Sequence, residues 1–234
     1  MQQFLEAVGL ALQAIWANKL RSLLTVLGNI VAVTSIIAVV SLVQGLNSSV
    51  AGLIESRFAA DTFSVTRTTP TFTEEEALRM QSNPRVTLAD AAAIRSSAPN
   101  VLFVMAESNA GAEAKYRDET LESISVRGVT KEFLNMSTTT IERGRPITPG
   151  EFDAGRNVAI AGFDTADRLF GAIDPIEKMI TISGVHFRIV GVAAKKGALF
   201  GQSQDEYVVI PLGAFQRVYG SRSSLRLTVK PRDP

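Results

Sequence analysis

The sequence has no cysteine, one histidine and one tryptophan, and its 24 basic and 23 acidic side chains nearly cancel. The missing thiols exclude disulfides, thiolate metal sites and cysteine nucleophiles together. The lone histidine, His186, has none of the company that a metal site or a general base requires, so it reads as structural. The charge balance gives no basic surface for nucleic acid: residues 1–22 carry Glu6, Lys19 and Arg21, a net charge of +1, and the remainder is neutral. A nucleotide site is missing as well, because Gly197-Ala198-Leu199-Phe200-Gly201 lacks the Lys-Ser/Thr of a phosphate-binding loop and lies between two strand patterns. No serine is flanked by the glycines of a nucleophile elbow. The run Glu74-Glu75-Glu76 suits the positive end of a helix dipole better than a metal. No catalytic residue, no cofactor and no metal are therefore expected.

Charge is missing most conspicuously from Leu23 to Val43, 21 residues without one ionisable side chain. As a helix this stretch spans about 31 Å, close to the ~30 Å hydrocarbon core of a bilayer. A buried core helix of that length would carry a polar stripe at 3.6-residue spacing, and none is present. A cleavable signal peptide has an apolar region of only about 7–15 residues, so this segment reads as a transmembrane helix over 23–45. Thr25, Thr34, Ser35 and Ser41 can bond back to helix carbonyls. Gly28 and Ala32 form a small-xxx-small pair that admits a neighbouring helix, and Asn29 beside them needs a partner in hydrocarbon, so these three are the expected helix-packing residues. Lys19 and Arg21 flank the N-terminal end, while Arg57 is the first basic residue beyond the other end; the N-terminus is expected in the cytoplasm and residues after about 46 outside.

Residues 3–17 place Phe4, Leu5, Val8, Leu12, Ile15 and Trp16 at helical spacing. This predicts a cytoplasmic amphipathic helix within 1–22, with Trp16, Lys19 and Arg21 at the membrane interface in contact with lipid headgroups. Past the span, Leu46, Val50, Leu53, Ile54 and Phe58 continue the helix as a stalk to about Ala60-Asp61, with Gly45 and Gly52 as its weak points and no proline. An α+β alternation follows. Strands are predicted at Phe63–Arg67, Val101–Glu107, Glu113–Arg117 and Leu121–Val129, with turns at Ala110-Gly111 and Arg117-Asp118. Helices are predicted at Thr73–Gln81 and from Thr87 to about Ser97, each opened by a Thr-x-x-acid signal. From Ile141 the pattern grows denser in strands and turns: Asn157–Ala161, Met179–Ser183 paired through Gly184 with His186–Ala194, Tyr207–Pro211 and Leu225–Lys230, with helices at Asp164–Phe170 and Leu212–Tyr219. The chain divides accordingly into a stalk and α/β part over 46–140, a β-rich part over 141–223, and a return from 224 to 234.

The stretches NKLRSLLTVLG (Asn18–Gly28), GRPITPGEFD (Gly144–Asp153), LFGAIDPIEKMITI (Leu169–Ile182) and FRIVGVAAKKGALFGQSQDEYVVIPL (Phe187–Leu212) resemble the permease subunits of MacB-type ABC transporters, of the MacB/FtsX/lipoprotein-release superfamily. The resemblance implies one membrane helix and then an extracytoplasmic domain of two subdomains, one porter-like α/β and one inserted and β-rich. Three further membrane helices would follow, which makes this chain part of a subunit of about 400 residues. It further implies an inner-membrane permease that dimerises with a second permease, binds a cytoplasmic ABC ATPase, transmits ATP-driven motion outward for export or extraction of a substrate, and works with a periplasmic adaptor. Two positions depart from the family pattern: Asn29, where apolar residues or glycine are usual, and Glu177, where glycine is usual. A single-pass sensor with an external ligand-binding domain and a membrane-anchored hydrolase are the other readings compatible with an N-terminal anchor.

Overall fold

The computed structural model describes residues 9, 16–57, 62–68, 79–80, 82–199 and 201–232. The amphipathic segment 3–17 apart from residues 9 and 16–17, the helix expected at Thr73–Gln81 apart from 79–80, and the stalk end at 58–61 lie outside the described residues. The chain divides into two compact units, residues 1–53 and 54–234. The first unit consists of most of α1 (Lys19–Arg57), a 39-residue helix. The uncharged run gives it no polar face, and the Thr25 hydroxyl donates to the Arg21 carbonyl at 2.9 Å, which removes one polar group from the helix surface.

The second unit is built on one sheet of nine strands. In chain order its elements are β1 (Phe63–Val65), α2 (Leu88–Ser97), β2 (Val101–Tyr116), β3 (Glu119–Val129), α3 (Phe133–Met136), β4 (Ile141–Gly144), α4 (Pro149–Asp153), β5 (Val158–Ala161), α5 (Phe163–Phe170), β6 (Met179–Ile182), β7 (Val185–Ala193), β8 (Ala198–Leu199), β9 (Gln202–Ser203), β10 (Tyr207–Pro211), α6 (Leu212–Tyr219) and β11 (Arg226–Pro231). The strand order is β1-β11-β2-β3-β10-β5-β7-β4, and β6 pairs with both β2 and β7. The pairings β2-β3-β10-β5-β7-β6-β2 therefore close a ring of six strands, while β1 and β11 extend the sheet beyond it. Only β3–β10 and β5–β7 are parallel. β8 and β9 form a separate hairpin.

The ring encloses an apolar core that includes Ile124, Val126, Ile180, Ile182, Phe187, Ile189, Val208 and Ile210, with Leu169 and Phe170 of α5 and Phe215 of α6 packed into it. A second cluster joins Met105, Phe133 and Met136 to Ile160, Val190 and Val209. A third packs Ile94 and Ala91 of α2 against Val104, Ala106, Leu227 and Val229. The sequence places α2 correctly: Thr87 accepts from the Asp90 N–H while the Asp90 carboxylate accepts from the Thr87 N–H at 2.8 Å.

Two expectations need correction. The turn at Ala110-Gly111 does not exist; β2 runs unbroken for 16 residues. Asn109, Ala110 and Gly111 pair in register with Arg127, Val126 and Ser125, so the ladder to β3 overrides the local turn signal. The other concerns the segment after Gly144, where the sequence reading gives no helix; it contains α4. There Thr148 and Glu151 form a second capping box with Pro149 in the first turn, a signal visible in the sequence.

The departure at Glu177 has a structural counterpart. Glu177 adopts φ +62°, in the left-handed region that glycine enters freely. Its carboxylate accepts from Arg188 at 3.1 Å, an exposed pair that contributes little. A non-glycine residue in that region costs roughly 1–2 kcal/mol, and glycine's extra freedom in the unfolded chain returns about half of that. Glu177→Gly is therefore expected to leave the unfolding midpoint unchanged or raise it slightly, whereas Glu177→Val, β-branched at positive φ, should lower stability by about 1–2 kcal/mol. Urea unfolding of the three chains side by side checks both signs.

Candidate functional site

Two regions carry functional interest. In α1, residues Lys19–Gly45 form a segment of mean hydropathy 2.4, long and apolar enough to cross a membrane, and none of its surface is buried within the chain. Of the residues singled out from sequence, Lys19 and Arg21 occupy its first turn, and Trp16, 77% exposed, lies in the helical turn before it. Gly28, Asn29 and Ala32 fall within little more than one turn of the same helix, all exposed. A Cβ built at Gly28 would meet nothing within 4 Å, so the small-residue face has room for another backbone. The Asn29 carboxamide makes no hydrogen bond with any described residue.

The other region is a cavity of about 470 Å³ in the second unit. Its floor is one face of four adjacent strands. Register sets that face, because antiparallel partners point the same way and alternate residues line it: Arg226 opposes Glu107, Thr228 opposes Met105, Asn109 opposes Arg127, and Ser125 is level with Tyr207. Phe133 and Met136 of α3, Thr138 and Thr139 after it, and Ser203, Gln204 and Glu206 form the walls.

Electrostatics within the cavity are organised around Glu107. Its side chain is 11% exposed and accepts from Arg127 at 2.9 Å. The Arg127 guanidinium in turn lies 6.0 Å from the centre of the Tyr207 ring, a cation–π distance. Burial pushes the Tyr207 phenol above the ordinary tyrosine value, against the lowering effects of neighbouring Thr139 and Arg127. The Thr228 hydroxyl is buried without a hydrogen-bond partner among the described residues. Asp205, fully buried, accepts the Lys196 N–H at 2.9 Å and the Gly197 N–H at 2.7 Å, which pins the base of the β8–β9 hairpin to the cavity wall. Sequence reasoning did not find these groups, because they come from four strands spread between residues 101 and 231 and no local spacing links them. His186, by contrast, is exposed near the start of β7, its Nδ1 3.0 Å from the Thr181 hydroxyl, as a cross-strand pair. Among the described residues no three His, Cys, Asp or Glu side chains converge to hold a metal.

The chain thus combines a helix long and apolar enough to cross a membrane with a sheet domain built on a ring of six strands. The family profile for the MacB-like periplasmic core domain matches residues 22–234, and the chain belongs to that family. It is 34% identical over 212 residues to the macrolide export ATP-binding/permease protein MacB of Chlorobaculum tepidum, with 90% of this chain and 32% of that protein aligned. It is 28% identical over 228 residues to the pyoverdine export ATP-binding/permease protein PvdT of Pseudomonas aeruginosa, covering 94% of this chain and 32% of the relative. With the ABC transporter permease YknZ of Bacillus subtilis the identity is 28% over 248 residues, covering 98% and 57%. The chain thus spans about a third of the length of the MacB and PvdT relatives. Among solved structures, the periplasmic region of MacB from Actinobacillus actinomycetemcomitans superposes with TM-score 0.62 at 17% identity, covering 77% of this chain and 78% of that one. The extracellular domain of YknZ from Gram-positive bacteria superposes with TM-score 0.58 at 20% identity, covering 74% and 82%. These two establish the fold.

Proposed function

We propose that the chain is the N-terminal part of an ABC transporter permease subunit, with its N-terminus in the cytoplasm and its sheet domain outside the inner membrane, passing ATP-driven motion from a cytoplasmic ATPase to the external domain. The observation that carries this reading is the coincidence of a family match over residues 22–234 with an uncharged helix flanked by Lys19 and Arg21 at its N-terminal end alone. The relatives' names pair ATP-binding with permease functions, which supports an ATPase partner. α1 continues through residues 46–57 beyond the apolar segment, roughly 18 Å of further helix. A stiff rod of this kind passes on a small displacement that a flexible linker would absorb.

Within the same proposal, Trp16, Lys19 and Arg21 anchor the helix at the lipid headgroups. Gly28, Asn29 and Ala32 face another helix of the permease or of a second permease in a dimer, where the Asn29 amide finds its partner. The division into a porter-like part and an inserted part at 141–223 belongs here too; it is supported by β11, which returns after residue 223 to pair with β1 and β2. A periplasmic adaptor is a further partner of this reading, and the exported substrate is left open by it.

The absence of cysteine from these 234 residues makes orientation testable once any cysteine elsewhere in the full permease is replaced. In intact cells producing the full permease, Lys115→Cys on β2 should react with a membrane-impermeant thiol reagent and Gln13→Cys should not, while Gln13→Cys should crosslink to the ATPase subunit. Labelling at 13 but not at 115 overturns the orientation, and protection at 13 without any crosslink to the ATPase favours a single-pass sensor instead.

A further inference from the structure

The cavity on the sheet face has a charge arrangement that its fold does not use up. Glu107 sits between two guanidiniums: Arg127 engages it at 2.9 Å, and Arg226 stands opposite it in the β11–β2 register. The Arg226 guanidinium makes no ion pair or hydrogen bond with any described residue. Of the carboxylates lining the cavity, Glu107 is paired with Arg127 and Glu206 with Arg168, which leaves Arg226 without a carboxylate partner among the described residues. Two residues along the same pair of strands, about 7 Å away, lies the Thr228–Met105 row. There the buried Thr228 hydroxyl has no partner, and Met105 meets Phe133 and Met136 from the apolar cluster behind the wall. Methionine side chains accommodate irregular apolar groups. A cation without an ion pair among the described residues and an apolar lining thus follow one another along the cavity floor.

We propose that this cavity is a binding site for small amphipathic carboxylates, molecules with one carboxylate and a short apolar side group a few ångströms from it. Arg226 receives the carboxylate through charge-assisted hydrogen bonds. Met105, Phe133 and Met136, which line the cavity, take the apolar side group. Glu107 fixes Arg127 to the floor and so keeps the second guanidinium from competing for the ligand. The volume of about 470 Å³ falls in the range typical of small-molecule sites. This site is independent of membrane orientation and of the ATPase, so it stands or falls apart from the permease reading.

The five methionines supply the test, because Met105 and Met136 line the cavity while Met179 lies on β6 outside it. The whole chain, labelled at its methionine methyls and held in detergent micelles, is titrated with N-acetyl-leucine and, separately, with uncharged N-acetyl-leucinamide. The Met105 and Met136 resonances should shift saturably with the acid, Met179 should stay in place, and the amide should bind about tenfold more weakly. Arg226→Gln should weaken binding of the acid by a similar factor while leaving the ligand-free spectrum as it was. If that variant misfolds, the acid–amide comparison on the unchanged chain decides alone. No saturable shift of Met105 and Met136, equal affinity for acid and amide, or parallel movement of Met179 overturns the proposal.

Discussion

Gly128→Ala will lower the thermal midpoint of the sheet domain by about 5–10 °C, corresponding to a loss of roughly 2–3 kcal/mol in a domain of this size. Gly128 lies next to the end of β3, directly beneath α6. An added Cβ would sit 2.3 Å from Phe215 Cβ and 2.5 Å from its Cγ. Phe215 is 1% exposed and packed among Val126, Ile210 and Ala214, so it cannot swing aside. The closest atom is a Cβ, which every residue but glycine possesses, so shortening Phe215 to alanine does not remove the clash; α6 itself must move. Gly111→Ala on β2 is the control, since a Cβ there meets nothing within 4 Å and should change the midpoint little. Thermal unfolding followed by far-UV circular dichroism distinguishes the two. Equal midpoints for Gly128→Ala and the unaltered chain would show that the β3–α6 contact is looser than described.

The second large effect concerns acid. Glu151 accepts both guanidinium arms of Arg145 at 2.8 Å and closes the capping box with Thr148. The hydrogen bond from Arg145, chiefly, with help from the Thr148 N–H and hydroxyl and against the cost of burial, holds the Glu151 carboxyl at about 2, below its ordinary 4.5. A carboxyl whose folded-state value is depressed contributes stability that is complete above the unfolded value and disappears as pH falls. Here that window runs from about 4.5 down to about 2. Because Arg145 is 43% exposed, the contribution is discounted for solvent screening to about 2 kcal/mol at neutral pH. Glu151→Gln is expected to lose this at pH 7 and to converge with the unaltered chain near pH 2. Urea unfolding at a series of pH values would show a shallower acid limb for the variant; a constant gap at all pH values would assign the loss to packing rather than to ionisation.

How much of this could be read in advance depends on the range of the interaction responsible. The membrane segment was legible because one property, the absence of charge over 23–43, determines it locally. Tyr207–Pro211 and Leu212–Tyr219 were legible because a short apolar run and a glycine-terminated amphipathic helix each announce themselves. The Ala110-Gly111 turn was misplaced because small residues permit a turn without requiring one, and pairing with β3 made the choice. Ring closure was illegible: it depends on β6 pairing with Ala114 and Lys115, more than 60 residues earlier. The cavity was hidden for the same reason, since its floor alternates residues of four strands whose shared face exists only once register is set. Glu177 was flagged through the family pattern, and its positive φ gives that flag a backbone cause.

The unbroken β2 also constrains how the chain can be made. Its end at Ala112–Tyr116 pairs with β3 across a two-residue turn, so that ladder can form as soon as the hairpin is synthesised. Along Phe103–Glu107 its other edge must wait for Arg226–Lys230, with residues 108–225 in between. At ~5–20 residues per second that interval is on the order of 10 s. During it the nascent domain carries an open strand edge holding Val104, Met105 and Ala106, a template for pairing with any neighbouring chain. Pairing of β11 with Phe103–Glu107 is thus the step that removes this template.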